Sequence, residues 1–273
     1  MTSEMSVSWD GRPDAEDRLA RELYAAADHP FPDDAEAGAG ERPRTVGVAV
    51  ARLDGVLSGW AWVFEESDEV ARVQGLYVPR EVRRLRSGHA GALAAEAAEA
   101  ELFTRLYGRA AEEARGAGFR VLRWDGLDSG AEGRAAEALG AQAHGEFARL
   151  WTARPAAWRP PTGLPHVQVR SLPEAGLTLA TTGARVSATL DGHTALLNAG
   201  EAISHRDGDQ HRLAALVADL VARLRAAHPE VTELTVHEFD DPTVRQALEL
   251  AGLRVGGRFL TYDLPLGPSL PHD

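Results

Sequence analysis

A stretch from the middle of the chain recurs at its end without a gap. Laid on Val231–Leu264, the segment Phe119–Thr152 puts Leu122 on Leu234, Asp128 on Asp240, Ala135 on Ala247 and Glu137 on Glu249. It also puts Gly140 on Gly252, Gly145 on Gly257 and Phe147 on Phe259, all at a shift of 112. Upstream of each copy runs a helix-like stretch with the same apolar face. There Phe103 matches Leu213 at a shift of 110, so the loop that follows differs by two residues. Order, spacing and glycine positions agree with one another, which chance identities in a biased composition would not do. A period this long is not a solenoid's. It reads as a duplicated domain, with two unrelated αβαβ units in a compositionally biased chain as the alternative.

With 273 residues, 44% of them hydrophobic, the chain can bury two cores. Cysteine is absent, which excludes disulfides, thiolate metal sites and cysteine nucleophiles together. The net charge of -12 opposes binding to a phosphate backbone, so no nucleic-acid partner is expected. No run of about 20 apolar residues is present to cross a membrane, and no leader-like stretch opens the chain. The expectation is a cytoplasmic protein with no membrane partner. Lysine is missing and every cation is arginine, amid abundant Ala, Gly and Pro. That is the codon bias of a high-GC bacterium.

Residues 1–12 show no periodicity and read as a disordered end. A helix is predicted over Asp14–Ala27, and a loop over His29–Arg44. Val46–Leu53 and Leu57–Glu65 form a hairpin about Asp54-Gly55, with a third strand at Val70–Val78. A long helix covers Ala92–Arg115 and stops at Gly116 and Gly118. A strand, a short helix to Gly140 and a strand Glu146–Thr152 follow. Ala153–Pro165 holds four prolines and reads as a linker. Beyond it come strands His166–Arg170, Leu177–Thr181, Ala184–Leu190 and Thr194–Asn198. A helix over Gln210–Ala227 presents Leu213, Leu216, Val217, Leu220, Val221 and Leu224 on one face. Strand Val231–Phe239, helix Thr243–Ala251 and strand Arg258–Leu264 complete the pattern. The fold class is α/β, a mixed β-sheet flanked by helices. The domains expected are 13–152, a linker 153–165, a shorter second domain 166–266, and a tail 267–273.

This order resembles the GNAT superfamily of acyl-CoA-dependent N-acyltransferases, in two diverged tandem copies. In that family a central strand splays, and a loop after it holds the CoA pyrophosphate at a helix start. Free backbone N–H groups and the partial positive charge there suit phosphate. In the first copy Gly75-Leu76-Tyr77-Val78-Pro79-Arg80 resembles the splayed strand, so Leu76 and Val78 would face the donor. The run Arg83, Arg84, Arg86, Gly88, Ala90, Gly91 lies where the phosphate loop belongs. In the second copy Arg206, Gly208, Arg212 and Ala214 fill that place. The resemblance implies acetyl-CoA as co-substrate and a small-molecule primary amine as acceptor. The family's proton-donating Tyr would stand at Ala136 and Leu248, and its Asn at Ser129 and Asp241; neither copy keeps them.

For catalysis the candidates are Glu65 as a base through water, Tyr77 as an acid, and His237 at a strand end. Each also has a plain structural reading: solvated turn carboxylate, core residue and surface histidine. Glu66, Glu69 and Asp125 lie near the same strands. His205 and His211 are spaced i, i+6, which does not set two imidazoles on one helix face, so no metal site is expected. The functional expectation is N-acetyl transfer. The alternative is a catalytically inactive GNAT-like module that binds a ligand or a protein, and a fold unrelated to GNAT is a third reading. A homodimer stays open.

Overall fold

The computed structural model describes residues 5–26, 43–76, 92–172, 176–198, 202–205 and 208–267. It is α/β, with mixed β-sheet and flanking helices. Contacts divide the chain into two units, Met1–Gly145 with Leu260–Asp273, and Glu146–Phe259.

In the first unit, β1 (Met5–Asp10), β2 (Thr45–Leu53), β3 (Val56–Glu65) and β4 (Val70–Leu76) form an antiparallel run in that order. Strand β4 then pairs in parallel with β5 (Val121–Leu127). Helix α1 (Ala15–Ala26) precedes β2, and α2 (Ala92–Gly116) lies between β4 and β5. Helix α3 (Ala131–Leu139) follows β5, ending at Gly140 in the left-handed conformation. The period-2 alternation of β2 and β3 sorts their side chains onto two faces. Val48, Val50 and Trp60 meet Ala15 and Leu19 of α1. Ala49, Ala51, Ala61 and Val63 share the other core with Phe103, Leu106, Tyr107 and Ala110 of α2.

The second unit holds β7 (Arg170–Leu172), β8 (Leu177–Thr181), β9 (Ala184–Asp191) and β10 (Thr194–Asn198), antiparallel neighbours in sequence order. Strand β11 (Ile203–His205) adds to β9, and β10 pairs in parallel with β12 (Glu233–Glu238). Helices α4 (Gln210–Ala227) and α5 (Pro242–Leu250) flank β12 in the chain. The six apolar residues read from the sequence of α4 are all at most 1% exposed. At about 1.5–3 kcal/mol for each such side chain buried, this stripe ties α4 firmly to the core of the unit.

Two strands change unit along their length. Strand β6 (Gln142–Ala153) begins in the first unit and ends in the second, where it pairs antiparallel with β12. Strand β13 (Arg254–Pro265) does the reverse, and Leu260–Pro265 joins the first unit beside β5. The division by contacts therefore differs from the linear one drawn at 153–165. That stretch is no free linker: Trp158 is buried in the second core and its indole N–H donates to the Ala251 carbonyl at 3.0 Å. Nor does the disordered end expected over residues 1–12 hold for Met5–Asp10. Met5–Asp10 forms β1 because Met5, Val7 and Trp9 alternate onto the first core.

Candidate functional site

Strands β4 and β5 make three residue pairs, Val70 with Val121, Ala71 with Leu122 and Arg72 with Arg123, although β4 runs on to Leu76 and β5 to Leu127. The cause lies on the opposite edge of β4. Its register to β3 jumps from Gln74–Trp62 to Leu76–Ala61, which leaves Gly75 as an extra residue. Such a bulge bends the strand that carries it. So the parallel pair opens beyond Arg72, and α2 is the next described helix in the chain.

A charged network borders the opening. Arg72 reaches Glu66 at 3.0 Å and also binds Asp125, which accepts from the Thr261 hydroxyl at 2.7 Å. Arg123 donates to Glu66 at 2.8 Å and to both oxygens of Asp263, at 2.7 and 2.9 Å. The Arg123 guanidinium holds the Asp263 carboxyl below the ordinary carboxylate range. On the other face of β5, Trp124 stacks between Tyr107 and Tyr262, with ring centroids 4.7 and 5.9 Å away. Burial pushes both phenols up, so both stay protonated at neutral pH. Next along β5, Gly126 lets α3 come close: a Cβ there would lie 2.2 Å from that of Glu132.

The matching place in the second unit is closed. β10 and β12 pair through all five residues, from Thr194–Glu233 to Asn198–His237. The start of α4 is occupied by its own cap. The Asp209 carboxylate accepts from the Arg212 backbone N–H at 3.0 Å, which fills the position an anion would take. The Arg212 side chain donates to the Thr182 carbonyl at 3.2 Å and lies 3.5 Å from Asp209. Ala214 is fully buried in the core, which overturns its expected contact with a donor. Gly208 is exposed in the left-handed conformation (φ 61°), and its carbonyl accepts from the Gln210 N–H.

Of the other residues singled out from sequence, Glu65 ends β3 beside Ala71, in the closed part of the pair, and its carboxylate binds Arg44. His237 belongs to the second unit. It is half-buried, edge-on to Phe259 at 5.3 Å, and burial holds its imidazole below the ordinary value, so it is neutral at pH 7. Leu76 ends β4. Tyr77, Val78, Arg83, Arg84, Arg86, Gly88, Ala90, Gly91 and Arg206 lie outside the described residues. The residues that sequence reasoning missed are Arg72, Arg123, Thr261 and Asp263. The i, i+2 recurrence of charge in Arg123 and Asp125 marked that these two share a strand face but not what they pair with, and Arg72, Thr261 and Asp263 gave no local signal.

The described residues contain no group of three or more side chains able to hold a metal ion, and no helix long and apolar enough to cross a membrane. No family model and no curated protein matches the chain. Among solved structures it is similar to a tandem GNAT protein from the clavulanic acid biosynthesis pathway (16% identity, TM-score 0.45, 97% of this chain and 100% of that one). It is also similar to a GCN5-related N-acetyltransferase from Sphaerobacter thermophilus (13%, 0.43, 98% of each chain). A third is a GNAT-family acetyltransferase from Colwellia psychrerythraea (10%, 0.47, 95% of this chain and 99% of that one).

Proposed function

We propose that the protein is an acyl-CoA-dependent N-acyltransferase whose donor site is the opening between β4 and β5 in the first unit. The acceptor is a primary amine of a small molecule and the acyl group is acetyl. One observation carries this reading: the parallel pair parts beyond a bulge in the first unit, while the equivalent pair in the second stays zipped behind a capped helix. Parted strands leave backbone N–H and C=O groups free to bind an extended amide-bearing arm, as a sheet edge binds a peptide. Arg83, Arg84 and Arg86, next in the chain, supply charge for the donor's phosphates.

The donor supplies a thioester; the neutral amine nitrogen bonds to its carbonyl carbon, the C–S bond breaks with its electron pair on sulfur, and the departing CoA thiolate takes up the proton that the nitrogen loses. Asp125 suits the acceptor side better than Glu65, because it lies past Arg123 in the open part of β5. Its carboxylate, held by Arg72 and Thr261, would steer an ammonium group and take its proton through water.

Thermal shift with acetyl-CoA tests donor binding. Stabilisation of about 2.7 kcal/mol is expected at 100 times Kd, reduced by Arg86→Ala and untouched by Arg212→Ala. With an acceptor in hand, Asp125→Asn should lower kcat/KM about a hundredfold and Glu65→Gln far less. No shift with any acyl-CoA ends this reading.

A second reading, an inactive ligand-binding module, is favoured by one fact. Ala136 and Leu248, where the resemblance calls for a proton-donating Tyr, are both buried apolar residues. Donor binding without acyl transfer to any amine would select it.

A further inference from the structure

The second unit contains a cavity of about 460 Å³ lined by three arginines, Arg154, Arg159 and Arg254, together with Thr152, Trp158 and Gly252. In a chain with 41 acidic residues against 29 basic ones, arginines generally find carboxylates. Arg72, Arg105, Arg109, Arg123, Arg149, Arg223 and Arg245 all do so. The three around the cavity do not: none makes an ion pair or side-chain hydrogen bond with a described residue. No carboxylate is among the lining residues.

The surroundings hold this arrangement in place. Arg154 opens a tight turn whose carbonyl accepts from the N–H groups of Ala157 and Trp158, at 3.0 and 2.8 Å. Trp158 is fixed by its bond to Ala251. Gly252 is left-handed at φ 79°, and a Cβ on it would stand 3.4 Å from the Trp158 indole nitrogen, so the wall is bare there. Three exposed arginines line one concave surface with no carboxylate among them, and a cleft lined by one sign of charge concentrates its field. The fork of each guanidinium matches the oxygens of phosphate or carboxylate in two-point fashion.

We infer that this cavity is a binding site for a small, multiply charged oxyanion, with the arginine forks on its charges and Trp158 and Gly252 against its uncharged part. It lies wholly in the second unit and rests on no part of the transferase reading.

Calorimetric titration of the whole protein with pyrophosphate, and in parallel with citrate, at fixed ionic strength tests this. Wild type should bind at least one of them. The two arms separate phosphate-bearing from polycarboxylate ligands. Each of Arg154→Ala, Arg159→Ala and Arg254→Ala should weaken binding about tenfold, as loss of a charged hydrogen bond does, and the triple variant should abolish it. Arg223→Ala, at an arginine already paired with Asp219, should bind as wild type. Without ligand at low salt, the variants should unfold at the same temperature or higher, because none of them loses an ion pair with a described residue. Arg254→Gln, which keeps a polar chain of similar length, gives the same reading if the triple variant is unstable. Absence of binding to both anions overturns the proposal. So does binding that survives in the triple variant or vanishes instead with Arg86→Ala.

Discussion

Glu238 has no exposed surface, yet it carries a carboxylate. It accepts from the Asp241 backbone N–H at 2.7 Å and from Arg245 at 3.2 and 3.4 Å, so its charge is shared between a backbone amide and a guanidinium. Removing one partner of a buried pair leaves the other charge uncompensated. Arg245→Ala should therefore cost about 3–5 kcal/mol, read by urea unfolding, and Glu238→Gln in the same background should recover part of it. His237, next to it in the strand, makes a pH prediction. Its folded value is depressed by burial, while the unfolded side chain takes a proton at about pH 6.5. Below that pH the unfolded state binds the extra proton, so stability falls as the solution is acidified. His237→Gln should flatten the slope of unfolding free energy between about pH 7 and pH 5; an unchanged slope would clear His237 of the effect. Sequence alone marked His237 and Asp125 as strand-end residues. It could not find the arginines that hold Asp125 and Asp263, because those pairs join residues 53 and 140 positions apart.

Helix α4 shows what was readable at the next level and what was not. Its apolar stripe repeats every three to four residues and needed no tertiary information. Its start did need it: the resemblance assigned Arg212 and Ala214 to a phosphate, whereas the local chemistry gave the position to Asp209, an ordinary N-cap. An acidic cap and a bound anion compete for the same amide groups, and the covalently attached carboxylate has no translational freedom to lose. Asp209→Ala should cost about 1 kcal/mol in chemical denaturation. It should leave acetyl-CoA affinity as it was, and a gain would move the donor site to the second unit. The two hairpins were legible from Asp54-Gly55 and Asp191-Gly192, both of which turn where expected. Strand β1 was not, since its alternation acquires meaning only against β2. The bulge at Gly75 was equally hidden, because it depends on how two strands register.

The duplication itself was written in the spacing of glycines and apolar residues, but the sharing of strands was not. Equal spacing in two copies says that each needs a last strand; it does not say which copy donates it. Here Leu260–Pro265 supplies that strand to the first unit, setting Tyr262 against Trp124 and Leu266 over Arg120, whose carbonyl accepts the Leu266 N–H at 2.8 Å. A fragment of residues 13–152 lacks β1 and that strand together. It should show no sharp amide dispersion in NMR and no cooperative melt, whereas the full chain should give both. A well-folded fragment would mean the first unit does not depend on its distant strand.

The same sharing sets an order of events during translation. The first unit is begun earliest but receives its final strand only after every residue of the second has left the ribosome. Its aromatic layer around Trp124 must wait, without Tyr262, while the whole of the second unit is made, an interval in which an incompletely covered nascent chain is exposed to aggregation and in need of a chaperone.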